Sequence, residues 1–121
     1  MQIRTGIDIV HLKRFEKTMM SNNSILLKIF HPSEIRLGSS HSLAGIYAVK
    51  EAVFKAFDMK KKNWHDIEVG YQESGKPQFR LLIDEMPKII SIDTSISHEG
   101  DYLVGMVTIL LDTKDLKKDS Y

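Results

Sequence analysis

The sequence predicts an α+β fold, an antiparallel sheet with helices packed on one face. Three observations carry that expectation. Apolar residues alternate with period two at residues 2–10 and again beyond residue 66, and a helical period runs from about Ser42 to Phe57. Helical segments crowd the first half and strands the second, which favours an antiparallel sheet over a parallel βαβ arrangement. At 121 residues, 42% hydrophobic and 27% charged, the chain matches one globular core, so a single domain over 1–121 is expected.

The first strand places Ile3, Ile7 and Ile9 on one face and Arg4, Gly6 and Asp8 on the other. "HLKRFEKTMM" follows as a short helix with Leu12, Phe15 and Met19 inward and Lys13, Arg14 and Lys17 outward, closed by the turn-forming "SNNS". After apolar "ILLKIF", the segment "HPSEIRL" restarts a helix at Pro32 or Ser33, where proline suits the first turn. The longest helix then reaches Phe57. Beyond the charged loop "DMKKKNW", "DIEVGYQ" and "PQFRLLI" form a hairpin about "ESGK". Strands at 92–98 and 101–111 meet at "HEGD", and the last, apolar on both faces, is expected to be central. Residues from about 113 to 121 read as a solvated tail.

Composition excludes several function classes. Seventeen basic and sixteen acidic side chains give a net charge of +1, too balanced for wholesale coating of nucleic acid. The lack of cysteine rules out disulfide and thiolate chemistry and fits a reducing compartment. No apolar run approaches the ~20 residues of a membrane span, and the N-terminus does not read as a signal peptide. A cytoplasmic protein is expected. There is no "HExxH", no helical zinc spacing of histidines and no P-loop.

Residues 46–57, "IYAVKEAVFKAF", raise a question. Leu43, Ile46, Tyr47, Val53, Phe54 and Phe57 share one apolar stripe, yet Lys50 projects from its middle. Either its stem snorkels to water, or that side of the helix lines a pocket holding negative charge. Glu51 and Lys55, spaced i,i+4, read equally as a surface ion pair. With Asp8 and Lys50 they could instead form a magnesium phosphate site, since magnesium is usually held by one or two carboxylates plus substrate phosphates.

Taken together and in order, "GIDIVHLKRF", "YAVKEAVFKAF", "GKP" and "SISH" resemble the holo-acyl-carrier-protein synthase family, the small 4′-phosphopantetheinyl transferases, over nearly the whole chain. The resemblance implies transfer of the phosphopantetheine arm of coenzyme A to a serine of an acyl carrier protein, of the kind used in fatty-acid or polyketide assembly. It implies magnesium held by Asp8 and Glu51, with Lys50 and Lys55 contacting phosphate or handling protons. Glu51, directly or through a metal-bound water, is the candidate base. Pro77 and His98 fall in the implied coenzyme A pocket, and Lys13, Arg14 and Lys17 make a docking face for an acidic carrier protein. Members are commonly homotrimers with sites between subunits.

Two positions depart from the family pattern. Ile46 stands where the family carries an arginine for the 3′-phosphate of coenzyme A, and Asp58 stands where it carries the first glycine of a Phe-Gly-Thr-Gly loop. Lys60, Lys61 and Lys62 either replace the missing charge or form an ordinary solvated loop. A non-catalytic relative that binds carrier protein or nucleotide is the alternative these departures leave open, and a nucleic-acid-binding domain using the three lysines is a third.

Overall fold

The computed structural model describes residues 1–83 and 88–113. The expected solvated tail lies outside the described residues from 114 onward. Strand β1 (Gln2–His11) leads into a short helix α1 (Leu12–Phe15), which widens into a π-helical turn at Glu16–Met20. Helices α2 (Asn23–Ile29), α3 (Pro32–Ile35) and α4 (Ser40–Ala56) follow. A 3-10 turn (Trp64–Asp66) precedes the hairpin β2 (Ile67–Tyr71) and β3 (Pro77–Leu81), and the chain closes with β4 (Ile89–Glu99) and β5 (Tyr102–Leu111).

The helix starts are set by short polar side chains that satisfy otherwise orphaned N–H groups. Asn22 accepts from the Ile25 amide at 3.2 Å and Ser39 from the Ser42 amide at 3.0 Å, caps worth about 1 kcal/mol each. The "SNNS" turn thus also starts α2. Pro32 opens α3, where its missing N–H costs nothing.

The fold class is as expected, with one difference in the sheet. β1, β5 and β4 form a three-stranded antiparallel sheet in that order, with β5 central, while β2 and β3 pair only with each other. The hairpin is tied to β4 by side chains instead, Lys76 reaching Asp93 at 3.0 Å and the Thr94 carbonyl at 3.3 Å.

Helix α4 lies across one face of the larger sheet, and two glycines let it come close. A Cβ at Gly6 would overlap the Ala52 carbonyl, and one at Gly105 would sit 2.7 Å from the Ala48 carbonyl carbon. The helix passes from β4 at its start, where Gly45 meets Ile96, over β5 to β1 near its end. The core gathers around it: Leu43, Ile46, Val49, Val53 and Phe54 are buried with Phe15, Phe30, Ile67, Leu103 and Ile109.

On β1 the residues facing the helix are Gly6, Asp8 and Val10, and the isoleucine side faces outward. Ile3, Ile7 and Ile9 are 67%, 60% and 63% exposed, and Met106 and Tyr102 of β5 are exposed as well. This alternation reports which residues share a face. Here the glycine, by admitting the helix, decides which face is inside.

Candidate active site

Asp8 sits on the inner face of β1 opposite Gly105, where the end of α4 passes. From the exposed edge of that helix, Lys55 donates to Asp8 Oδ1 and to the Ile7 carbonyl, each at 3.0 Å. Glu51, one turn earlier, is nearly buried. The i,i+4 pair between Glu51 and Lys55 allowed by spacing does not form, because each has a partner off the helix. Glu51 receives Lys62, whose ammonium lies 2.9 Å and 3.2 Å from its two oxygens. Tyr47, one turn before Glu51, has its phenol within electrostatic reach of the same carboxylate, and its ring stacks on Trp64 at 5.3 Å.

The loop that returns Lys62 to the helix starts from a left-handed residue. Asp58 has φ 50°, and the Met59 amide donates to the Phe54 carbonyl at 2.9 Å, the pattern in which a helix ends on a residue usually glycine. The family's glycine at this position therefore has a backbone reason, and Asp58 accepts the strain.

Electrostatics draw these groups into one site. Burial pushes the Asp8 carboxyl above its ordinary value, the charge of Glu51 adds to the rise, and the Lys55 hydrogen bond opposes it. Burial also raises the Tyr47 phenol to about 12, reinforced by Glu51, so Tyr47 stays a donor. Among the described residues no three or more metal-ligating side chains gather. A two-carboxylate set suits magnesium, which keeps several waters and takes substrate phosphates as its other ligands. The two carboxylates each hold an ammonium, so they already accept cations, and the donor set fits the ion.

Lys50 is not part of this cluster, a correction to its expected phosphate-contacting role. Its side chain is wholly buried beside that of Glu34, the two 2.8 Å apart. The remaining donors reach the Ile29 carbonyl at 2.8 Å and the Trp64 carbonyl at 3.3 Å, so all three ammonium hydrogens are used. Burial lowers the Lys50 pKa, and the Glu34 carboxylate works against that fall. The stripe does face negative charge, but the charge belongs to the protein. Glu34 also accepts the His31 amide at 2.7 Å and the Val69 amide at 2.8 Å, joining α2, α3, α4 and β2. Ile46, at the position of the family's arginine, is likewise fully enclosed in the core. A guanidinium there would enter the core.

Pro77 and His98 lie elsewhere. Pro77 opens β3 beside Ile92, Asp93 and Thr94 of β4. His98, exposed near the end of β4, meets the His41 ring edge-on at 5.0 Å near the start of α4. β4 and β1 are separated by β5, so His98 and Asp8 stand on opposite strands of one sheet, roughly 10 Å apart across it at ordinary strand spacing. Lys13, Arg14 and Lys17 project from α1 and the turn after it. Lys13 pairs with Asp101 at 3.5 Å; among the described residues neither Arg14 nor Lys17 forms an ion pair.

Sequence reasoning missed two residues here. Tyr47 carried a usable signal, standing four residues before Glu51 on one helix face, and Glu34 carried none, since it meets Lys50 from another helix. Lys62 was singled out with its neighbours as replacement charge, but its contact with Glu51 had no signal because it arrives on a loop.

Comparisons with known proteins identify the family. The pattern of the 4′-phosphopantetheinyl transferase superfamily matches residues 4–107. A holo-[acyl-carrier-protein] synthase of Geobacillus is 36% identical over 119 residues, covering 90% of this chain and 97% of the relative. One of Finegoldia magna is 32% identical over 119 residues, covering 93% and 99%. Among solved structures, the Helicobacter pylori holo-[acyl-carrier-protein] synthase in complex with coenzyme A aligns with a TM-score of 0.76 at 30% identity, covering 88% of this chain and 99% of that one. With the matched segment reaching from β1 into the inner strand β5, and so containing the strand and helix that bring Asp8 to Glu51, this chain belongs to the 4′-phosphopantetheinyl transferase superfamily.

Proposed function

We propose that the chain transfers the 4′-phosphopantetheine arm of coenzyme A to a serine hydroxyl of an acyl carrier protein, releasing adenosine 3′,5′-bisphosphate. One observation carries the reading: Asp8, Glu51 and Lys55, from a strand and a helix distant in sequence, converge at the end of α4. The names of the relatives and the coenzyme A in the Helicobacter pylori structure support it. The non-catalytic alternative is not favoured, because the carboxylate pair and Lys55 are all in place.

In such a transfer the protein mainly positions the reactants and offsets charge. Asp8 and Glu51 would hold magnesium, which supplies positive charge against the pyrophosphate. Lys55, its ammonium at the surface, stabilises charge developing on the bridging oxygen as its bond to phosphorus breaks and the serine oxygen bonds to that phosphorus. Glu51 takes the serine proton. Lys50 acts only through the fold, fixing α4 against α3.

Two surfaces support the partners. The outward face of β1 and β5, with Ile3, Ile7, Ile9 and Met106 exposed, is a contiguous apolar patch that a monomer would leave in water. A homotrimer would cover it. Arg14 and Lys17 offer uncommitted positive charge to an acidic carrier helix. No helix among the described residues is long and apolar enough to cross a membrane, and the absence of cysteine supports a cytoplasmic setting. Incubation with coenzyme A, magnesium and an apo carrier protein tests the activity. An intact-mass gain of one phosphopantetheine arm is expected, and no gain with any of several acidic carrier proteins would overturn the reading.

A further inference from the structure

Lys62 holds Glu51 with both carboxylate oxygens inside hydrogen-bond distance, and its ammonium also lies 5.7 Å from the centre of the Trp64 ring. The segment that carries it, residues 58–63, leaves α4 through the left-handed Asp58 and carries Lys60 and Lys61 exposed. Among the described residues Lys62 forms no other ion pair, although its charge also acts on Asp8. Lys55 differs in this respect: if it released Asp8 it would still hold the Ile7 carbonyl.

A divalent cation needs lone pairs on Glu51 that Lys62 already engages, and an ammonium and a dication on one carboxylate repel. One of them must give way, and the group with less to hold it is Lys62. We infer that Lys62 is an internal competitor of the divalent cation for Glu51, so that metal loading unlatches the 58–63 loop from α4. The inference rests on the magnesium reading above. It gives the three-lysine loop a role not assigned to it by composition: a closed state before the cation arrives and a released ammonium afterwards, in reach of an incoming phosphate.

The test uses the full metal-free chain without coenzyme A. Manganese binding is followed by the free-ion resonance, and magnesium titration by emission of Trp64, the single tryptophan. Lys62→Met should bind manganese about two- to fivefold more tightly than the wild type, the span expected for deleting a partly exposed ion-pair competitor. Lys61→Met removes the same charge without the contact and should change the affinity less than twofold. Magnesium should shift Trp64 emission in the wild type and leave it unmoved in Lys62→Met. Equal tightening in both variants, or none in Lys62→Met, would overturn the latch while the metal site stands. Absence of saturable manganese binding in wild type and variant alike would overturn the magnesium reading and the latch with it.

Discussion

Helix α4 carries two lysines that each meet a carboxylate from elsewhere in the chain, and they serve opposite ends. Lys50 and Glu34 are both fully enclosed, every donor of the ammonium used. Lys55 and Asp8, at 3.0 Å, keep more than half of the lysine side chain in solvent. Identical chemistry, five residues apart, makes a clamp in one place and a reactive surface in the other. Access to water decides which, because a ligand can recruit only a charge whose hydrogen bonds can be exchanged.

Breaking the enclosed pair should have the largest effect. Lys50→Ala or Glu34→Ala should each cost about 3–5 kcal/mol in urea unfolding, since either leaves a buried charge alone. Lys50→Met combined with Glu34→Gln should recover at least half of that, the glutamine keeping an acceptor for the Val69 amide. A single-variant cost below about 1 kcal/mol would be the figure for an exposed pair and would return Lys50 to the list of ligand contacts.

At the open pair, function and stability should part company. Asp8→Asn should lower transfer at least about a hundredfold, equivalent to ~2.7 kcal/mol, yet raise Tm at pH 7. The sign follows from the raised Asp8 pKa: the folded state binds the proton more tightly than the unfolded one, so the ionised carboxylate opposes folding at neutral pH. That penalty fades as pH falls through the raised value and is gone below the ordinary ~3.9. The Tm advantage of Asn should therefore vanish near pH 4. A Tm loss at pH 7 would mean that the Lys55 contact outweighs burial.

Further from the helix, Arg14→Glu should raise KM for the carrier protein about tenfold while leaving that for coenzyme A within twofold, and added salt should weaken the wild type toward the variant. Equal changes for both substrates would move Arg14 out of the docking face. The smallest effect is expected at the exit from α4: Asp58→Gly should stabilise by about 0.5–1 kcal/mol, because glycine adopts the left-handed conformation without a Cβ penalty. A destabilisation measured by Tm would show that the Asp58 side chain contributes more than its strain.

The elements were largely legible because each rests on a local period or a short polar signal. The two faces of the last strand put it in the middle of the sheet, and "ESGK" marked the turn between β2 and β3. β4 ran longer than read, starting at Ile89 instead of 92, since pairing with a long neighbour extends a strand beyond its own alternation, while β2 and β3, paired only with each other, are shorter than their alternation. The Asp8 and Glu51 pairing was accessible only through resemblance, as nothing local ties residue 8 to residue 51. What stayed hidden was the third dimension around Lys50 and Ile46. Periodicity placed both on the apolar side of α4, but it could not distinguish a stripe facing a pocket from one closed over by α3 and the Trp64 turn. Lys62 was hidden for a related reason, since a loop has no period from which a direction can be read.

Gly6 and Gly105 set the width of the site through main chain rather than side chain. Where a helix rests on bulky residues, each exchange of one apolar group for another in the core can shift it by some tenths of an ångström, and a gap between two carboxylates would drift with every such exchange. Here α4 has backbone against backbone at two points, so the core can be rewritten around it without moving the gap. The family can thus diverge widely in its interior while its chemistry keeps one dimension, on condition that these two positions stay without a side chain.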